Sequence, residues 1–184
     1  MLGIDPSLKN LGIAKCELDL QNGEITVLDL ILVQTEKDQN KTIRRNSDDL
    51  NRARKLHKFF TTYTEWADFV FSEIPTGAQS ARAALSFGIA IGVLASCNKP
   101  LIQVMPTETK LHTVGTKTAS KEEMIEWATE KYPGAPWLTA KSKGVTRFTN
   151  DNEHLADAVA VVHAGVETEQ FQQLIALSKL HSAA

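Results

Sequence analysis

Three carboxylates and an imidazole stand where the surrounding pattern gives them no packing role. Asp5 ends the short apolar run Met1-Leu2-Gly3-Ile4, and Pro6-Ser7 turn the chain away. Glu73 repeats the arrangement after Phe69-Val70-Phe71-Ser72, with Ile74-Pro75 following. If the two strands are neighbours, two negative charges lie close together, which requires a cation or a shared proton between them. His154 and Asp157 are three apart in an alanine-rich segment with helical character, so they share one helix face. Oxygen donors of this kind suit Mg²⁺ or Mn²⁺, and a single histidine tilts the choice slightly toward Mn²⁺. Two such ions, about 4 Å apart, can activate a water and stabilise the leaving oxygen in phosphodiester hydrolysis. Each residue also has a plainer reading. Asp5 could serve the turn before Ser7, Glu73 could pair with a lysine, His154 could cap or pack, and Asp157 could face solvent. The joint pattern is harder to explain that way.

The elements that must position these residues can be read from periodicity. Apolar, partly alternating runs at 2–5, 10–17 and 24–34 predict an antiparallel meander, with Asn22-Gly23 as a hairpin signal. Leu50, Ala53, Leu56, Phe59 and Phe60 predict a helix over 48–64. A strand at 67–73, a helix at 79–97 and a strand at 100–105 follow. Helices are predicted at 119–131 and 151–167, with a short terminal helix near 168–180. The last main helix should begin at Asn150-Asp151-Asn152-Glu153, with Asn or Asp as cap. This order predicts an α/β fold, a five-stranded mixed sheet of three antiparallel then two parallel strands, flanked by helices on both faces. The polar segment 133–149 reads as a mobile loop. Ala81, Ala84, Gly88, Gly92 and Ser96 place small side chains along one stripe of helix 79–97, which reads first as internal packing and second as a dimer seam.

Composition bounds the remainder. The 184 residues, 42% hydrophobic and 23% charged, fit one folded domain over 1–184 with a substantial core. The longest apolar run, 89–95, is far short of the ~18 residues of a membrane span, and Asp5 interrupts the N-terminal apolar stretch, so neither span nor signal peptide is expected. Cys16 and Cys97 have no metal or redox spacing and read as reduced packing residues of a cytoplasmic protein. A net charge of −2 argues weakly against nucleic acid, yet its distribution does not. Lys41, Arg44, Arg45, Arg52, Arg54, Lys55 and Lys58 form one basic segment, and Lys141, Lys143 and Arg147 another. Such runs serve as solvated faces or as phosphate contacts.

Taken in order, the motifs resemble those of the RuvC-type Holliday junction resolvases, within the ribonuclease H-like superfamily. Leu2-Gly3-Ile4-Asp5-Pro6 with Gly12 is similar to the family's opening strand and turn. Ser72-Glu73, with Ala84-Leu85-Ser86-Phe87-Gly88 and Gly92-Val93, resembles its second acidic segment. Lys110 to Thr113-Val114-Gly115, then Ser120-Lys121, resembles its lysine-bearing region, and His154-Leu155-Ala156-Asp157-Ala158 its last metal-binding helix. The resemblance implies metal ligation by Asp5, Glu73, His154 and Asp157, and contacts from Lys110 and Lys121 to the cleaved strand. It further implies a homodimer and Mg²⁺ or Mn²⁺, two ions per active site, in a bacterial or phage-encoded enzyme of the bacterial or infected-cell cytoplasm. Arg44, Arg45, Arg52, Lys117, Lys141, Lys143 and Arg147 are the expected DNA contacts. Two departures stand out. Thr76 and Gly77 occupy the stretch where the family often carries an aromatic residue, and the basic segment 36–58 is unusually long and polar.

The expected activity is metal-dependent, structure-specific endonucleolytic cleavage of DNA, resolving four-way junctions by paired phosphodiester hydrolysis. The same ligands would serve a less selective flap or branch nuclease, or a ribonuclease H-like enzyme for RNA–DNA hybrids. From a different class, the strand-Asp-turn-strand opening resembles the phosphate loop of actin-like ATPases, which need a second phosphate loop and a chain about twice this size.

Overall fold

In the computed structural model, which describes residues 1–142 and 144–182, five strands form a sheet in the order β3-β2-β1-β4-β5. β1 (Leu2–Pro6), β2 (Asn10–Leu18) and β3 (Ile25–Gln34) pair antiparallel. β4 (Val70–Glu73) and β5 (Leu101–Val104) continue parallel to β1. This is the expected mixed sheet. Gly23, at φ 76°, supplies the left-handed residue of the β2–β3 turn.

Strand alternation divides the sheet between two cores. On one face Leu2, Ile4, Leu11, Ile13 and Val70 pack under α1 (Arg45–Thr64) and α2 (Ala81–Ala95), which contribute Leu56, Phe60, Val93 and Leu94. On the other, Ala14, Cys16, Phe71, Ile102 and Val104 pack under α5 (Asn152–Val166). α4 (Lys121–Lys131) and α6 (Glu169–Ser182) add Ala128 and Phe171 to this second core.

α5 lies with its backbone on the sheet because glycines leave room for it. A Cβ on Gly3 would come within 1.9 Å of the Ala158 carbonyl oxygen, and one on Gly12 within 2.1 Å of that of His154. A Cβ on Gly165 would strike the Phe71 ring at 2.2 Å. The small side chains Ala156, Ala158 and Ala160 are fully buried, so the helix can approach closely along its length.

Several expectations need correction. Segment 133–149 is not simply a loop: β6 (Thr139–Ser142) and β7 (Val145–Phe148) form an antiparallel hairpin with Gly144 at φ 80°. α3 (Pro106–Thr113) was not expected, although Pro106 at its first position and the Glu108 carboxylate accepting from the Met105 N–H (2.9 Å) are ordinary start signals. Asp151, at the N-cap of α5, makes no side-chain capping bond; the buried Asn152 side chain instead ties the helix start to Leu138 N–H and C=O (2.9 and 2.8 Å). The small residues of α2 do not pack internally. Ala81, Ala84, Gly88, Gly92 and Ser96 are exposed, beside the exposed Leu85 and Ile91. Cys16 is buried and free, with its thiol pushed up to about 12 by that burial. Among the described residues no helix is long and apolar enough to cross a membrane.

Candidate active site

β1 and β4 are hydrogen-bonded neighbours, with Ile4 in register with Ser72, so Asp5 and Glu73 stand side by side at the carboxyl ends of parallel strands. Alternation puts both on the face that carries Gly3 and Phe71, under α5. Gly12, opposite Asp5 in the β1–β2 ladder, admits the first turn of α5, and His154 and Asp157 thereby come down beside the acids. The structure brings all four residues to one end of the sheet.

Their bonding is specific. The His154 ring meets the Asp5 carboxylate through Nδ1 (2.7 Å to Oδ2), and Asn10 Nδ2 meets its Nε2 (2.6 Å). As placed, both ring nitrogens of His154 are engaged. Glu73 Oε1 accepts from the buried Thr109 hydroxyl (2.8 Å) on α3. Ser72, fully buried, bonds the Ile4 carbonyl (3.3 Å) and so fastens the two strand tips together.

The electrostatics follow from this crowding. Burial and the charges of Asp5 and Glu73 push the Asp157 carboxyl up to about 7, with Glu153 adding and His154 opposing. Glu73 is also raised, chiefly by burial and further by Asp5, against the Thr109 hydrogen bond and Lys110. His154 is raised by its hydrogen bond to Asp5, against its burial. Three clustered carboxylates, two of them (Glu73 and Asp157) raised by burial and by the neighbouring acids, form a donor set suited to a hard divalent cation. As placed, no three acidic, histidine or cysteine side chains among the described residues enclose a metal position.

The lysines border this group. Lys110 Nζ donates to the Ala119 carbonyl (2.7 Å) and lies near enough to Glu73 to lower its pKa. Lys121, exposed at the first position of α4, pairs with Glu153 and feels the Asp157 charge. Lys117 is exposed in the connection between α3 and α4.

The other basic residues divide. Arg44 and Arg45 are exposed at the start of α1. Arg52 is largely enclosed: its guanidinium donates to Thr35 Oγ1 (2.9 Å) and the Leu8 carbonyl (3.3 Å), tying α1 to the turn that follows Asp5. Asp49, within the basic segment, forms a two-pronged bond to Arg82 of α2 (2.5 and 2.6 Å), which holds its carboxyl below the usual range. On the hairpin Lys141 pairs with Thr146 and Ala140 with Arg147, so Lys141 and Arg147 project from opposite faces. Lys143 lies outside the described residues. Asn10 and Thr109 escaped notice in the sequence: a lone Asn after a turn and a Thr in an unexpected helix carry no local signal of their partners.

No family model matches the chain. No curated protein matches it either. Solved structures do. The Thermus thermophilus RuvC structure is similar over 95% of both chains at 19% identity and a TM-score of 0.62. T. thermophilus RuvC in complex with a Holliday junction substrate aligns over 89% of this chain and 90% of its own, at 17% identity and TM-score 0.62. The Fowlpox virus resolvase in its complex with Holliday junction DNA covers 95% of this chain and 99% of its own, at 17% identity and TM-score 0.52. The fold of this chain is therefore that of the RuvC-type resolvases, a ribonuclease H-like fold.

Proposed function

We propose that the chain, as a single nuclease domain over 1–184, is a metal-dependent endonuclease that resolves four-way DNA junctions. The observation that carries this reading is the pairing of Asp5 and Glu73 at adjacent parallel strand tips, with His154 and Asp157 lowered onto them by α5. It stands on a fold shared with two resolvases whose structures hold Holliday junction DNA. The metal-binding group is Asp5, Glu73, His154 and Asp157: three carboxylates supply hard oxygen donors, and the histidine acts among them. Bound Mg²⁺ or Mn²⁺, two ions per site, would supply water activation and stabilisation of the leaving oxygen.

The chain's own residues do the remainder. Lys110 and Lys121 set positive charge beside the acids, where charge builds on the phosphate in the transition state. Thr109 holds Glu73 in one orientation. Arg44, Arg45, Lys117, Lys141, Lys143 and Arg147 serve as phosphate contacts; Arg52 supports the same end of the sheet from beneath. The exposed small-residue stripe of α2, flanked by Leu85 and Ile91, offers a seam for a two-fold dimer, which would present one site to each of two opposed strands. Such an enzyme works in the cytoplasm of a bacterium or a phage-infected cell.

A less selective branch nuclease is the second reading, favoured by the exposed Thr76 and Gly77 in the loop after Glu73, where no aromatic side chain can wedge into a junction. The test of the site itself is Asp5→Asn. It should abolish junction cleavage while leaving junction binding, measured by gel shift, close to wild type. Retained cleavage by a folded variant would refute the assignment.

A further inference from the structure

The β3–α1 connection leaves the sheet at the end that carries Asp5, since Gln34 closes β3 opposite Asn10. Residues drawn from 37–48 line a cavity there of about 360 Å³, within the size range of small-ligand sites. Asp48 lines it from inside the fold and is only 7% exposed. Its Oδ1 accepts from Asp38 N–H (3.2 Å), but its enclosed Oδ2 has no hydrogen-bond partner among the described residues. Arg82 feels the Asp48 charge, yet gives both terminal nitrogens to Asp49. A buried carboxylate oxygen without a donor is costly unless a ligand supplies one. The rim has the opposite need. Lys37, Lys41 and Arg45 are exposed on it, and their side chains make no hydrogen bond or ion pair among the described residues.

A bare cation would satisfy Asp48 and be repelled by the rim, and a bare phosphate would meet the reverse. A nucleotide carries N–H donors and negative charge in one molecule. Guanine matches best, because N1–H and the N2 amino group are adjacent donors for one carboxylate. Cytosine and adenine offer one amino group beside a bare ring nitrogen, and thymine one N–H between two carbonyl oxygens that a carboxylate repels. We propose that this cavity captures one unpaired nucleotide of the DNA substrate, guanine before the other bases. The Asp48 carboxylate accepts from the base edge, and Lys37, Lys41 and Arg45 hold its phosphates. This rests on the DNA-nuclease reading and deepens it: with Thr76 and Gly77 in place of an aromatic wedge, gripping an unstacked base is another way to hold a junction distorted.

The test titrates the full chain, in chelator, with trinucleotides that differ only in the central base between two thymines, and follows backbone amide shifts by NMR. Wild-type protein should bind guanine tightest and thymine weakest, with the shifts centred on residues 38–48. Asp48→Asn keeps its oxygen on Asp38 N–H and puts an NH₂ where Oδ2 stood, which cannot accept from guanine but can donate to a thymine carbonyl. It should weaken guanine about tenfold or more and leave thymine no weaker. Lys41→Ala should weaken all four probes alike. Equal binding of the four bases, shifts centred elsewhere, or an Asp48→Asn protein that keeps the guanine preference overturns the proposal, as does Mn²⁺ seating at these amides in the absence of chelator. If Asp48→Asn does not fold, the wild-type order of the bases decides. No step needs cleavage, so the pocket stands or falls separately from the nuclease assignment.

Discussion

At the scale of residues, the site is a problem in charge. Asp157 is held up to about 7 against an ordinary 3.8 by burial and by its acidic neighbours. A carboxyl whose folded pKa exceeds its unfolded value is protonated preferentially in the folded state, so its ionisation destabilises the fold. Without divalent ions, Asp157 should therefore contribute a loss of stability as pH rises from about 4 to about 7, opposed by His163, whose burial lowers its pKa to about 4. The wild type should lose stability relative to Asp157→Asn over that range, along a slope that isolates Asp157. Saturating Mg²⁺ should flatten that slope, because a bound cation favours the ionised form. Melting curves across that range, with and without Mg²⁺, check the sign. Thr109→Val removes the hydroxyl that holds Glu73 and should raise the Glu73 pKa further. The expected loss of Mn²⁺ affinity, measured by calorimetry, is about 10-fold or more. The acids were legible in the sequence because a charge at the end of an apolar strand is conspicuous. Asn10 and Thr109 were not, since what matters about each is a partner 144 or 36 positions away.

At the scale of elements, α5 decides whether the acids meet the histidine. Its seat depends on Gly3, Gly12 and Gly165, which leave no space for a methyl group. Gly12→Ala would drive a Cβ into the His154 carbonyl, an obstacle made of backbone that no rotamer change relieves. The cost should be about 1–3 kcal/mol by urea unfolding, the usual range for overpacking, with cleavage reduced more than the loss of folded protein explains. By contrast, a Cβ at Gly88 meets nothing within 4 Å, so Gly88→Ala should not destabilise the chain. The main strands and helices were legible from periodicity. α3 was obscured by its short, polar sequence, and the β6–β7 hairpin by exposed strands with no apolar face to alternate. The α2 stripe was misread for a different reason: small residues signal close approach without saying whether the partner lies inside the fold or outside it.

At the scale of the whole molecule, charge and shape pull in different directions. The chain is net −2, so the proposed affinity for DNA would come from local arrays of basic residues and should weaken steeply with salt. Sedimentation equilibrium should show a dimer, and Gly88→Arg, which puts a long cation on the exposed stripe of α2, should shift it toward monomer. That variant should still bind Mn²⁺. The most direct measurement is cleavage by the purified protein, with Mg²⁺ or Mn²⁺ and with chelator, of four substrates side by side: a four-way junction, a flap, a linear duplex and an RNA–DNA hybrid. The account predicts paired, metal-dependent incisions in the junction, less in the flap, and little in the duplex or hybrid. Cleavage of the hybrid alone, or of the junction in the presence of chelator, would contradict it.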